Sequence, residues 1–339
     1  MKKIIFYNFI IFFILLISIE LIFGYWFDEN NFGIHIRKHR NRYELYETKF
    51  NNKEYKFIYK RNFYGFRGEQ INNLNDIKFV FLGGSTGNER FLPENLTIVG
   101  RLNENFKKKN ININIINASV DGKTLRGHLN DFKFWFSKLK NFNPDYYIIY
   151  TGINDSVIDQ PEKYDFTYGN NLFKNIRDYI TNNSISVELI KKFKWKYFSK
   201  TKLKYDMSSS NQLYKDFVYI NYNDSKNLHN LENLFIKYNK LSERYKKRIK
   251  KLYSKINKLD AEVIFITQIK YDGLKDEKLF LLNEILKEFS TKRRLKIIKL
   301  DEIYDGINKD FYDHNHTTPQ GSERISKIIF ENLNKIIFP

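Results

Sequence analysis

The 339 residues are 42% hydrophobic and 17% aromatic, enough apolar material to bury the core of one large α/β domain or two smaller ones, and too much for a disordered chain. Five prolines and fifteen glycines exclude collagen-like and low-complexity architectures, and the lack of cysteine excludes disulfides, thiol catalysis, Cys-based zinc sites and a lipidated Cys. The formal net charge of +19 raises a nucleic-acid role. However, the lysines are spread along the chain, and their densest run, Lys246-Lys247-Arg248-Ile249-Lys250-Lys251, reads as the wet face of a helix. Attraction to anionic lipids or acidic glycans is the simpler reading, and no nucleic-acid partner is expected.

Lys2 and Lys3 precede an apolar run from Ile4 to Phe23, interrupted by Tyr7, Asn8, Ser18 and Glu20. Such a run reaches roughly 30 Å as a helix, the thickness of a hydrocarbon core. Gly24-Tyr25-Trp26-Phe27 then suits the interface. A cleaved signal peptide is the rival, but the flanking residues are too bulky for its cleavage site, so residues 1–27 are expected to be an uncleaved transmembrane anchor. The two leading lysines place the N-terminus in the cytoplasm. Arg37, Lys38, Arg40 and Arg42 oppose that orientation, yet large domains translocate largely regardless of such charge. The bulk of the chain is therefore expected outside the cytoplasm, periplasmic or at the cell surface.

Residues 28–75 are polar and aromatic without helical period. They read as a lead-in packing on the main domain, with a strand at Tyr55-Lys56-Phe57-Ile58-Tyr59 and a turn over Phe63 to Gly68. The main domain, 76–339, opens with the β-rich run Ile77 to Leu82, which stops at Gly83-Gly84. A helix is expected over Thr97–Lys109 from the spacing of Ile98, Leu102 and Phe106, then a strand over Ile111–Ile116 and a helix over Leu125–Leu139. Tyr146 to Tyr150 is a fully apolar strand, the kind buried on both faces of a parallel sheet. Residues 156–230 read as an irregular insertion or lid, with a loop at Ser208 to Asn211. Leu231–Leu259 is expected as one long amphipathic helix, followed by strand Glu262–Thr267, helix Leu279–Phe289, strand Leu295–Leu300 and helix Ile325–Ile336. Alternating strands and helices predict a three-layer α/β/α fold around a central parallel sheet, with functional groups at the carboxyl ends of the strands.

Four motifs fall there. Gly83-Gly84-Ser85-Thr86-Gly87 follows strand one and exposes Ser85 on a sharp turn; it lacks the Lys of a Walker loop and the Gly-x-Gly-x-x-Gly of a dinucleotide site. Asn117-Ala118-Ser119-Val120-Asp121-Gly122 follows strand two, where Gly122 offers an unhindered N–H. Gly152-Ile153-Asn154-Asp155 follows strand three and presents the Asn154 amide. Each alone also reads as an ordinary turn. In Asp313-His314-Asn315-His316, an Asp three residues before a His can hold one ring nitrogen and leave the other to act as base. A metal pair from His314 and His316 is the alternative there, but no acidic or His cluster elsewhere completes a coordination shell.

Taken in order, these motifs resemble the four blocks of the SGNH (GDSL-like) hydrolase family. Asn117 to Thr124 is very like its second block, Gly152 to Asp155 is its third without change, and Asp313 with His316 fits its last. The resemblance covers roughly Ile77 to Leu333, less the insertion. Gly84 departs from the family's frequent Gly-Asp-Ser start, and Thr86 from its Leu. Gly83 to Gly87 also satisfies Gly-x-Ser-x-Gly, but in α/β-hydrolases several strands precede that elbow and the acid sits well before the His.

The resemblance implies a flavodoxin-like fold and a serine esterase with Ser85 as nucleophile, His316 as base and Asp313 as its partner. The N–H groups of Ser85 and Gly122 and the amide of Asn154 would form the oxyanion hole, without metal or cofactor. An O-acyl, foremost O-acetyl, ester on a small molecule or cell-envelope glycan is the expected substrate. An O-acetyltransferase using the same site, and a non-catalytic glycan-binding or assembly protein, are the alternatives.

Overall fold

The computed structural model describes residues 2–27, 44–157, 172–198, 203–207, 218–307 and 309–338; the Arg37–Arg42 charges and the Ser208–Asn211 loop lie outside these. Among the described residues the strands are β1 (Glu44–Phe50), β2 (Lys53–Tyr59), β3 (Phe79–Gly83), β4 (Ile115–Asn117), β5 (Tyr146–Tyr150), β6 (Leu203–Asp206), β7 (Glu262–Ile266) and β8 (Lys296–Ile298). Five of them form a wholly parallel sheet in the order β4-β3-β5-β7-β8. In chain order that is 2-1-3-4-5, the flavodoxin-like arrangement, whose crevice opens where the winding reverses, between β3 and β5.

The apolar runs follow from burial on both faces. Val80, Leu82, Tyr147, Ile149, Val263 and Phe265 face one helical layer, while Phe79, Phe81, Ile148, Tyr150, Ile264 and Ile266 face the other. The first layer holds helices Leu125–Phe134, Asn239–Asn257 and Glu277–Lys292. The second holds Ile98–Lys108 and Pro319–Ile337. Helix starts follow side-chain caps: Thr97 Oγ1 accepts from Gly100 N at 3.0 Å, and Thr318 Oγ1 from Gly321 N at 3.2 Å. The Thr318-Pro319 pair starts the last helix well before Ile325, with proline at the first helical position, where its missing N–H costs nothing.

Three sequence expectations are corrected. The helix expected over Leu231–Leu259 is two, Leu231–Lys237 and Asn239–Asn257, because Tyr238 leaves helical geometry at φ −114 and ψ 33. Its hydroxyl and the Lys237 ammonium both bond Glu277 Oε2 at 2.6 Å, a tertiary clamp that outweighs helical propensity. Arg248 is buried and bonded to Asp155 at 3.2 Å, so the basic run is not wholly a wet face. The stretch read as irregular contains helices Leu172–Asn183, Ile185–Phe198 and Tyr222–Leu228 as well as β6. β6 pairs in parallel with β1, which pairs antiparallel with β2 through a turn whose Asn51 and Asn52 have φ of 47 and 62, the left-handed pair a tight hairpin needs.

The segment after β2 runs into the main sheet. Arg67 N donates to Asn117 O at 2.9 Å, and Phe66 packs on Trp135 and Phe142 with ring centroids 4.9 and 5.4 Å apart. The N-terminal helix Lys2–Phe23 is long and apolar enough to cross a bilayer, and none of it is buried.

Candidate active site

Ser85 stands directly beyond β3, at the start of the short helix Ser85–Asn88, reached through Gly84 at φ −86 and ψ −149. A Cβ at residue 84 would lie 2.2 Å from Asn154 Nδ2. The backbone before Ser85 therefore passes so close to the Asn154 amide that any side chain at residue 84 would displace it. Asn154, in the short helix Ile153–Val157 that follows β5, is fixed by donating from Nδ2 to Lys123 O at 2.9 Å.

Gly122 has φ +72, and a Cβ there would meet nothing within 4 Å. The glycine is required by its left-handed backbone, not by crowding. Its neighbours are anchored on both sides. Asp121 accepts from Asn88 Nδ2 and from Arg90, each at 2.6 Å, and the buried Lys123 ammonium bonds Asp131 at 2.5 Å. Asp155 is buried as well and accepts from Leu125 N at 3.0 Å, so the block carrying Asn154 also secures the helix that follows Gly122.

The Asp313–His316 pair forms as the spacing implied. Asp313 Oδ1 accepts from the backbone N–H groups of Asn315 and His316, both at 2.8 Å, and Oδ2 accepts from His316 Nδ1 at 2.7 Å. This turn locks the carboxylate before it meets the ring, and the Tyr312 ring stacks on the imidazole with centroids 5.7 Å apart. Burial pushes the imidazole pKa down, but the hydrogen bond and charge of Asp313, with the charges of Asp121 and Glu89, more than offset it and hold the ring above 6.5. Burial likewise pushes Asp313 up, and its bonds to His316 and the two backbone N–H groups bring it below the usual carboxylate range. His314 turns elsewhere, its ring edge-on to Tyr271 at 4.7 Å.

Two residues that the sequence reading passed over tie these blocks together. Glu89, buried and left-handed at φ +42, accepts from Ile98 N at 2.5 Å, from Thr317 Oγ1 at 2.7 Å and from the Ser322 hydroxyl. It thus fastens the end of the Ser85 turn to the residue after His316. Burial raises its pKa to about 7 against those three bonds and the charge of Arg67. Gln268, just past β7, accepts from Ile153 N at 2.7 Å and donates to Thr86 Oγ1 at 3.0 Å. Behind it Asn283 bonds both Gln268 O at 2.8 Å and Asp301 at 3.2 Å. A polar residue closing an apolar strand was the available signal for Gln268; Glu89 offered none.

The structure thus brings Gly84, Gly122, Asn154 and the loop of Asp313 and His316 to the carboxyl edge of one sheet. No direct hydrogen bond joins Ser85 Oγ to His316, a contact that in unliganded sites is often long and tightens with substrate.

A flavodoxin-like sheet with a serine turn and an Asp–His pair at its carboxyl edge is the frame of an ester-cleaving serine hydrolase. The model of the GDSL-like lipase/acylhydrolase family matches residues 79–329, and the chain belongs to that family. Solved structures that the chain is similar to include TesA, with 11% identity over 76% of this chain and 99% of that one and a TM-score of 0.45. A lipolytic G-D-S-L family member from Veillonella parvula has 12% identity over 75% and 97%, with a TM-score of 0.44. A catalytic mutant of an acetylxylan esterase from Geobacillus stearothermophilus has 12% identity over 77% and 94%, with a TM-score of 0.43. Comparison with curated proteins gives no match.

Proposed function

We propose that the protein is a membrane-tethered esterase that removes an O-acyl group, foremost O-acetyl, from a cell-envelope glycan, using Ser85, His316 and Asp313. The observation that carries this reading is the Asp313 Oδ2 to His316 Nδ1 hydrogen bond of 2.7 Å, made by a carboxylate already locked by two backbone N–H groups. It fixes the tautomer in which Nε2 can accept a proton. In the proposed reaction Ser85 Oγ attacks the ester carbonyl as its proton passes to His316 Nε2. The oxyanion is met by the N–H groups of Ser85 and Gly122 and the amide of Asn154, each such donor typically worth ~3 kcal/mol in the transition state. Collapse breaks the C–O bond to the sugar as the imidazolium gives its proton to the departing sugar oxygen, and leaves an acyl-serine. Water, deprotonated by the same imidazole, then releases the acid.

Anchorage through Lys2–Phe23, with a cytoplasmic N-terminus and the hydrolase outside the cytoplasm, belongs to the same proposal. The basic, aromatic composition suits an acidic glycan there. Labelling by a fluorophosphonate probe tests the nucleophile: Ser85→Ala abolishes it, and persistent labelling of that variant defeats the assignment. Release of acetate from an O-acetylated glycan, against p-nitrophenyl acetate alone, tests the substrate class.

A further inference from the structure

The apolar helix and the insertion meet at one carboxylate. Glu20, near the distal end of Lys2–Phe23, accepts hydrogen bonds from Ser184 Oγ at 2.7 Å, Ser186 N at 2.9 Å and Ile185 N at 3.2 Å. Those N–H groups open the helix Ile185–Phe198, so a side chain of one helix caps the start of another. The joint has two more fastenings. Tyr25 N donates to Asn183 O at 2.8 Å, and Trp26 lies edge-on to Tyr179 with centroids 5.8 Å apart.

The two helices that meet there each turn an apolar face outwards. At about 100° per residue, Leu172, Phe173, Ile176 and Ile180 fall within roughly 100° of arc on Leu172–Asn183, and Leu189, Ile190 and Phe193 within a similar arc on Ile185–Phe198. All seven are exposed, Phe173 by 82% and Ile190 by 65%. Consecutive helices exposing this much aliphatic and aromatic surface mark an interaction face, and the joint says with what. Glu20 stands roughly 5 Å short of the end of the apolar helix, so a helix capped there begins at the edge of the hydrocarbon layer. Tyr179, Tyr25 and Trp26 are the ring types favoured at that depth. The sequence also carries lysine at positions 191, 192, 194 and 196, the charge that anionic headgroups attract.

We infer that helices Leu172–Asn183 and Ile185–Phe198 lie along the membrane surface, their apolar faces seated between headgroups and acyl chains of the bilayer that Lys2–Phe23 crosses. This rests on the anchor reading above and extends it: the hydrolase is held by a spanning helix and a two-helix platform, not by a flexible stalk. Glu20 joins the two, and its carboxylate is bonded at the depth where a bare charge would be costly.

The chain has no cysteine, so single cysteines report without background. Full-length Leu189→Cys, Phe173→Cys, Ile14→Cys and Lys240→Cys, each spin-labelled and reconstituted into phosphatidylcholine–phosphatidylglycerol vesicles, are compared for collision with oxygen, which concentrates in lipid, and with a water-soluble nickel chelate. The expected result is oxygen preference at residues 14, 173 and 189 and nickel preference at residue 240. Nickel preference at 173 and 189 with oxygen preference at 14 overturns the platform and leaves the anchor standing. Shielding of 173 and 189 from both reagents assigns the face to a second copy or another protein, and also overturns it. Nickel preference at 14 as well removes anchor and platform together.

Discussion

The Thr317 hydroxyl donates to Glu89 Oε1 at 2.7 Å across 228 residues of sequence. The contact joins the loop that carries His316 to the end of the turn that carries Ser85, and Ser322 at the start of the last helix bonds the same oxygen. A buried carboxylate with three donors is costly to empty: Ile98 N is left without an acceptor, at about 1–3 kcal/mol, and Thr317 and Ser322 fall back on each other and on Thr318 O. Glu89→Ala is expected to lower stability by several kcal/mol, read as a fall in Tm.

Glu89→Gln separates charge from packing. The folded-state pKa of about 7 lies above the ordinary 4.5, so the fold favours the protonated acid. That preference stabilises the wild type fully below pH 4.5 and is lost as pH rises to about 7, a change on the order of 3 kcal/mol. Between pH 5 and 8 the wild type should therefore lose Tm relative to Glu89→Gln, whose amide does not titrate. Parallel Tm curves for the two proteins would refute the raised pKa of Glu89.

In the proposed reaction His316 must be neutral to accept the Ser85 proton, and its pKa is held above 6.5, chiefly by Asp313 against the opposing effect of burial. The acid limb of kcat/KM for p-nitrophenyl acetate should accordingly have its midpoint above pH 6.5. Asp313→Asn should move that midpoint down and, by losing the tautomer, lower kcat by about 10⁴-fold. A midpoint that stays fixed in Asp313→Asn would mean that another group titrates.

How much of this was legible follows from where each signal lies. The central sheet was readable because strands buried on both faces are continuous apolar runs, and Tyr146–Tyr150 has the bounds its sequence implied. Ser85, Gly122 and Asn154 sit in short local motifs soon after those strands, and Asp313 and His316 in one just before the last helix. β1 and β6 were not readable, because Glu44–Phe50 and Leu203–Asp206 are mixed polar sequences whose pairing is decided only by a partner far along the chain. Glu89 and Gln268 are ordinary polar residues until Thr317 and Thr86, 228 and 182 residues away, arrive beside them. The break at Tyr238 depends in the same way on Glu277.

Gly84→Ala tests the close approach to Asn154. The added methyl lies 2.2 Å from Asn154 Nδ2, so the amide must move from the place where the oxyanion would form. Loss of one such donor costs about 10²–10³ in kcat, and Gly84→Ala should match Asn154→Ala within that range. The double variant should fall little further, since both changes remove the same donor. A Gly84→Ala enzyme with wild-type kcat would place the oxyanion elsewhere.

Gln268 supports the site without belonging to it. Its Oε1 takes Ile153 N, the residue before Asn154, and its Nε2 bonds Thr86, the residue after Ser85. Gln268→Leu leaves a buried N–H without an acceptor, at about 1–3 kcal/mol, and loosens the backbone on both sides of the crevice. Loss of kcat by tenfold or more is expected, since misplacement of a reacting group by about 1 Å can cost 10²-fold. The pH midpoint should not move, because Gln268 carries no charge to impose on His316. Gln268→Glu keeps the acceptor for Ile153 N and should restore part of the rate. A shifted pH midpoint in Gln268→Leu, or no rescue by Gln268→Glu, would show that the residue acts by some other route than holding these two turns in register.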